Sequence, residues 1–323
     1  MSSKKVKIWV NAARPKTLAA AFTPVLVGAA LAVQHSAFSG INTSVALVCA
    51  FLIQIGTNFA NDYFDFIKGA DTDERIGFER VTAAGLIAPK TMLKATILIM
   101  ALAFLFGLYL VWVGGYIVLV IGVLSLICGV LYTGGPYPLG YNGLGDIFVF
   151  VFFGIVAVMT TYYVNALEWS EDSFWASLAV GALCTNILVI NNLRDVEQDS
   201  RAGKRTLGVM FGETALKWEY TLMVALAYAI PLYFFFKLDY SFFILTPFLV
   251  LPLAFIHTKK VWTEAHKPNL NKVLEQTAKF MAIFGLTFAI GILAGQCFAI
   301  SPITPYLINR LQWLAKLLPA ATV

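Results

Sequence analysis

Five carboxylates fall within "NDYFDFIKGADTDE", Asn61 to Glu74, and this stretch ends a run from Thr17 to Asn61 that holds no Asp, Glu, Lys or Arg. A second acidic stretch, "NNLRDVEQDSRAGKR" from Asn191 to Arg205, also closes an apolar run. Asp62 and Asp65 are three residues apart, and Asp195 and Asp199 four, so each pair shares one face of a helix. Gln54 and Asn58 carry the first stripe deeper, while Asn61, Asn191 and Asn192 flank the acids. Carboxylates at the edge of hydrocarbon cost several kcal/mol unless partnered, and they usually mark function. Acids gathered this closely need cations. Mg²⁺ takes oxygen ligands from one or two carboxylates together with substrate phosphates. Two acidic helix ends facing each other would therefore hold Mg²⁺ around a diphosphate. Basic residues follow each motif, Arg80 after the first and Lys204 and Arg205 after the second, and they suit phosphate oxygens. Asp73, Glu74 and Glu79 read as solvated loop acids.

The elements that position these groups are membrane spans. The 323-residue chain is 59% hydrophobic and only 13% charged, against about 25% charged for soluble domains. A spanning helix needs about 20 mostly apolar residues. On that basis the chain reads as all-α and polytopic, with nine spans at about 18–36, 42–66, 91–113, 116–133, 146–165, 174–194, 219–237, 241–258 and 278–300 around a central cavity. Twenty of the 23 Lys and Arg residues fall in four segments that nine spans place on one side. By the positive-inside rule that side is cytoplasmic, which puts the N-terminus inside and the C-terminus outside; the expected location is a bacterial cytoplasmic (inner) membrane. The same bias accounts for the positive charge without nucleic acid. The start "MSSKKVKIWV" lacks a small-residue cleavage site and does not read as a cleavable signal. Four scattered cysteines and three histidines argue against a zinc or haem centre.

The two acidic motifs lie about 130 residues apart and suggest pseudo-repeats over about 10–165 and 166–300 within a single domain. The segment "PYLINRLQWLAKLLPA" reads as an interfacial amphipathic helix over about 304–318. The loop "YTGGPYPLGYNGLGD", Tyr132 to Asp146, is rich in Gly and Pro and has fixed turns. It is expected to form one wall of an acceptor pocket, with Tyr141 on it, or simply to connect two helices. Arg14 and Lys16 meet either a substrate anion or serve topology alone.

"ARPKTL", "NDYFDFIKGADTDERIG", the Tyr132–Asp146 loop and "NNLRDVEQDSRAGKRTL" together resemble the intramembrane aromatic prenyltransferases of the UbiA superfamily, over nearly the whole chain. Within it the likeness is to members that act on 1,4-dihydroxy-2-naphthoate in menaquinone synthesis. The resemblance implies a Mg²⁺-dependent transfer of a polyprenyl group from its diphosphate to the naphthoate ring, with loss of diphosphate and CO₂, giving a demethylmenaquinol. It implies Asp62, Asp65, Asp195 and Asp199 as catalytic metal ligands, with Asp71 beside them. Asn58, Asn61, Arg80, Asn191, Asn192, Lys204 and Arg205 then contact substrate, joined by Arg14, Lys16 and Tyr141. Many relatives carry DxxDxxxD, whereas here Gly69 holds the third position and the next acid is Asp71. A sister enzyme acting on 4-hydroxybenzoate or homogentisate stays open, as does a transporter with an acidic ion site. The D-G-x2-A-R signature of phosphatidyl-alcohol transferases is absent.

Overall fold

The computed structural model describes residues 3–70, 76–78 and 80–299, so Asp71 and the 304–318 segment lie outside the described residues. Every regular element among them is helical. Eight helical runs are long and apolar enough to cross a membrane, and the helix Tyr116–Leu131 is a shorter ninth. Large apolar side chains such as Leu249 (77% exposed) and Phe255 (68%) face outward, as lipid-facing surface requires. The chain is an integral membrane protein.

Helix α1 (Ser3–Ala13) and α2 (Leu18–Gln34) are separated by a break at Arg14 and Pro15. Pro15 disfavours helical backbone at the residue before it, and Arg14 takes a left-handed φ of 51°. The break is held from α3 (Gly40–Ile67): Asn58 Nδ2 donates to Ala13 O (3.0 Å) and Thr17 Oγ1 (3.1 Å), and Gln54 Nε2 donates to Thr17 Oγ1 (3.1 Å). The deep polar stripe seen in sequence thus fixes how the chain enters the membrane.

Helices α4 (Pro89–Gly114) and α5 (Tyr116–Leu131) form a hairpin through Gly115. The expected fifth span starts as α6 (Gly145–Val149), passes through a π-helical stretch at Phe150–Val156, and ends as α7 (Ala157–Ala166). Such π segments are rare and frequent at functional sites. The most buried span is α8 (Glu171–Arg201). Ser170 caps it by accepting from Ser173 N, and Glu171 and Asp172 in its first turn complement the helix dipole. Gly181 of α8 lies against Gly154 of the π stretch; a Cβ at Gly154 would come within 2.7 Å of the Gly181 backbone. The short α9 (Leu207–Phe211), α10 (Glu213–Lys237), α11 (Leu251–Thr263) and α12 (Leu270–Ala299) complete the fold. The largest core cluster joins α8 to α2, α10 and α12 through Leu183, Tyr220, Phe280 and Phe288. The other side of α8, with α3 to α7, faces a cavity.

Candidate active site

The cavity has a volume of about 430 Å³ and is apolar along most of its length. Its polar end is where α3 and α8 finish. Both acidic motifs are helical, since α3 runs to Ile67 and α8 to Arg201. Gln198 Nε2 reaches Ala70 O (3.3 Å) and ties the two helix ends together. Asp65, Asp195 and Asp199 line the cavity with Asn58, Asn61, Asn191 and Asn192. Asp65 and Asp195 both lie within electrostatic reach of Asp199.

Each carboxylate has a distinct set of partners. Asp65 accepts from Arg80 Nη2 (2.8 Å) and from the Tyr141 hydroxyl (2.5 Å). Asp195 is gripped by Arg194, whose Nε and Nη2 lie 2.6 Å from its two oxygens. Asp199 faces Lys204 Nζ at 3.4 Å. Asp62, 1% exposed, is not among the residues lining the cavity. Its oxygens accept the backbone N–H groups of Val81 (3.2 Å) and Thr82 (2.9 Å), so it anchors the turn that carries Arg80. Buried charges require such pairing, and removing one partner is strongly destabilising.

The Tyr132–Asp146 loop bridges the two motifs. Gly140 N donates to Tyr132 O (2.9 Å) and Arg205 N to Tyr141 O (2.7 Å). The Tyr141 ring has Lys68 Nζ 4.8 Å and Lys204 Nζ 4.6 Å from its centre, within cation–π range. Tyr141 lines the cavity and at the same time stands inside the ionic cluster. Lys68, which sequence reasoning passed over as a topology signal, also donates to Thr133 O (2.6 Å). Burial, together with Asp146, Asp199 and Asp65, pushes the Tyr132 phenol far above its usual range, so it stays neutral.

Arg14 lines the cavity, but two other expected contacts do not. Lys16 forms an ion pair with Glu275 and lies 5.3 Å from the Phe78 ring centre. Arg205 joins the site through its backbone while its side chain is exposed. Arg194, only 2% exposed, is the main residue that sequence reasoning missed. It also donates to Asn191 Oδ1 (2.6 Å) and Asn271 Oδ1 (2.8 Å). Its signal was an arginine beside an aspartate where an apolar span ends.

The donor set suits a hard divalent cation, being carboxylate and amide oxygen. Among the described residues no three His, Cys, Asp or Glu side chains converge as a metal cage. Mg²⁺ does not demand one, because it is commonly held by one or two carboxylates plus substrate phosphates.

A family model described as the UbiA prenyltransferase family matches residues 21–284. A 1,4-dihydroxy-2-naphthoate octaprenyltransferase of Haemophilus influenzae is 33% identical, the match covering 91% of this chain and 98% of that one. The Escherichia coli protein of the same name is 36% identical over 90% and 97%. A solved UbiA homolog from Archaeoglobus fulgidus, bound to DMAPP and Mg²⁺, superposes with a TM-score of 0.64 at 16% identity, covering 88% of this chain and 99% of that one. At that identity the superposition speaks for the fold alone. With the family model spanning most of the sequence, the chain belongs to the UbiA prenyltransferase family.

Proposed function

We propose that the protein transfers a polyprenyl group from its diphosphate to 1,4-dihydroxy-2-naphthoate. The observation that carries this reading is one cavity with two chemistries. An apolar passage ends at Asp65, Asp195 and Asp199, with Arg80, Arg194 and Lys204 beside them. An apolar tail with a diphosphate head matches that division. Relatives bearing the naphthoate octaprenyltransferase name over about 90% of the chain support the acceptor. A transporter with an acidic ion site has no comparable support.

In this reading the diphosphate sits between the ends of α3 and α8. Mg²⁺ held by Asp65, Asp195 and Asp199 would neutralise charge on the leaving oxygens. Arg80, Arg194 and Lys204 already face those carboxylates, and with substrate bound their N–H groups turn to phosphate oxygens as charge-assisted donors. Asp62 keeps the Arg80 turn in place, and Tyr141 holds Asp65 and both lysines in register. When the allylic C–O bond breaks, the diphosphate leaves with the electron pair. The allylic cation is then met by the ring carbon that bears the carboxylate. CO₂ departs without its bonding electrons, which restore aromaticity and give a demethylmenaquinol. Phe148, Phe152 and Phe153 on the cavity wall keep water from the cation. Asp71, outside the described residues, is proposed as a further metal ligand. We place the acidic end on the cytoplasmic side of a bacterial inner membrane, where 20 of the 23 Lys and Arg residues would lie.

Purified protein in nanodiscs should convert the naphthoate and a prenyl diphosphate to a product whose mass shows gain of the prenyl group and loss of CO₂. EDTA should abolish turnover and Mg²⁺ restore it. Preference for 4-hydroxybenzoate or homogentisate would replace the acceptor assignment.

A further inference from the structure

Two glycines in the middle of spanning helices line the cavity for no reason that packing supplies. Gly107 of α4 and Gly122 of α5 both face it, and a Cβ built on either meets no atom within 4 Å. Mid-helix glycine costs about 0.5–1 kcal/mol relative to alanine. At Gly154 that cost is offset by close approach, since the Gly181 backbone would lie 2.7 Å from a Cβ there. Nothing approaches Gly107 or Gly122.

Their register is the second observation. The hairpin turns at Gly114 and Gly115, with Gly107 seven residues before Gly114 and Gly122 seven after Gly115. The two therefore stand at one level, roughly 10 Å from the turn and roughly 14 Å from the Leu131 end at a rise of about 1.5 Å per residue. The wall around them is apolar, with Phe104, Leu108, Leu119 and Phe152 in the lining. Ser125, nearly one turn away, is already bonded to Ile121 O (2.8 Å). A wall of this composition accepts a flexible apolar chain.

Resting on the prenyltransferase reading, we propose that Gly107 and Gly122 together set the longest isoprenoid tail the enzyme accepts. The head group is fixed at the acids, so a geranyl chain ends short of this level, whereas an octaprenyl chain must pass it. A side chain at either position would narrow the passage for long donors only.

The test compares kcat/KM for geranyl, geranylgeranyl and octaprenyl diphosphate in wild type, Gly107→Leu, Gly122→Leu and the two alanine variants. The octaprenyl-to-geranyl ratio should fall at least about tenfold in each leucine variant and about two- to threefold in each alanine variant. Phe106→Leu, on the lipid-facing side, should leave it unchanged. Alanine favours the helix, so the alanine variants decide the matter where a leucine variant fails to fold. A wild-type ratio in the alanine variants, or equal loss on all three donors, overturns the proposal. A wild type that prenylates another aromatic acceptor overturns the acceptor assignment instead, and the donor ratio is then read on that acceptor.

Discussion

The two acidic helix ends look alike in sequence and differ in how their charges are spent. At the end of α8 both acids face the cavity and take their cations from nearby residues, Asp195 from Arg194 and Asp199 from Lys204. Of the two described acids at the end of α3, Asp65 faces the cavity, and its partners come from afar, Arg80 fifteen residues on and Tyr141 seventy-six. Asp62 has turned away to hold the backbone of Val81 and Thr82. Similar motifs therefore do different work among the described residues: at one end Asp195 and Asp199 both meet the cavity, and at the other Asp65 meets it while Asp62 builds a loop.

That asymmetry predicts a split among four substitutions. Asp65→Asn, Asp195→Asn and Asp199→Asn should each lower kcat by about 10²–10³-fold, the scale for losing one preorganised electrostatic group. Asp62→Ala should act chiefly on stability, because two buried N–H groups lose their acceptor at about 1–3 kcal/mol each. It should lower the detergent melting temperature and leave about a tenth or more of kcat. Equal activity losses for Asp62 and Asp65, with unchanged melting, would erase the distinction.

A smaller effect separates the two arginines. Arg194, 2% exposed and bonded to Asp195, Asn191 and Asn271, belongs to the fold as well as the site. Breaking a buried pair from one side costs about 3–5 kcal/mol. Both arginine pairs are buried, so each alanine variant should lose stability. Arg194→Ala, the more deeply buried, should lose more, and Arg80→Ala should in addition raise KM for the prenyl diphosphate, by roughly ten- to hundredfold. Urea or thermal unfolding with donor titration of both variants checks this. Arg205→Ala, its side chain being exposed and off the cavity, should change donor KM by less than about threefold.

The legible and illegible parts divide along physical lines. Helix positions followed from apolar length, and the expected fifth span, 146–165, is matched by Gly145–Ala166. Its π-helical stretch was invisible, because a register slip inside an apolar run leaves the composition unchanged. Asp65, Asp195, Asp199 and the flanking asparagines were readable because polar groups at span ends are costly. The division of labour between Asp62 and Asp65 was not, since three-residue spacing cannot say which acid meets the cavity and which a loop. Arg194 and Lys68 were counted as topology charges, and only the folded arrangement shows Arg194 buried against Asp195 and Lys68 over Tyr141. Lys16 and Arg205 are placed off the cavity lining: closeness to a motif in sequence does not aim a side chain into the cavity.

The smallest expected effect concerns Lys68, just past the end of α3. Partial burial lowers its pKa from 10.5; Asp65 opposes the shift and Lys204 adds to it. In the window between the depressed folded value and 10.5, the unfolded chain binds more protons at this residue than the folded one. Stability contributed here must therefore rise with pH across that window, because holding a proton costs more in the folded state. Lys68→Met should flatten that part of the stability–pH curve while leaving the region near neutral pH similar in slope. Melting curves of wild type and variant from pH 7 to pH 10.5 would show the difference. An identical slope in both would mean that Tyr141 and Thr133 O repay the desolvation of the ammonium in full. A wild-type slope of the opposite sign would mean that Asp65 dominates Lys68, drawing the two acidic ends closer in behaviour than their partners suggest.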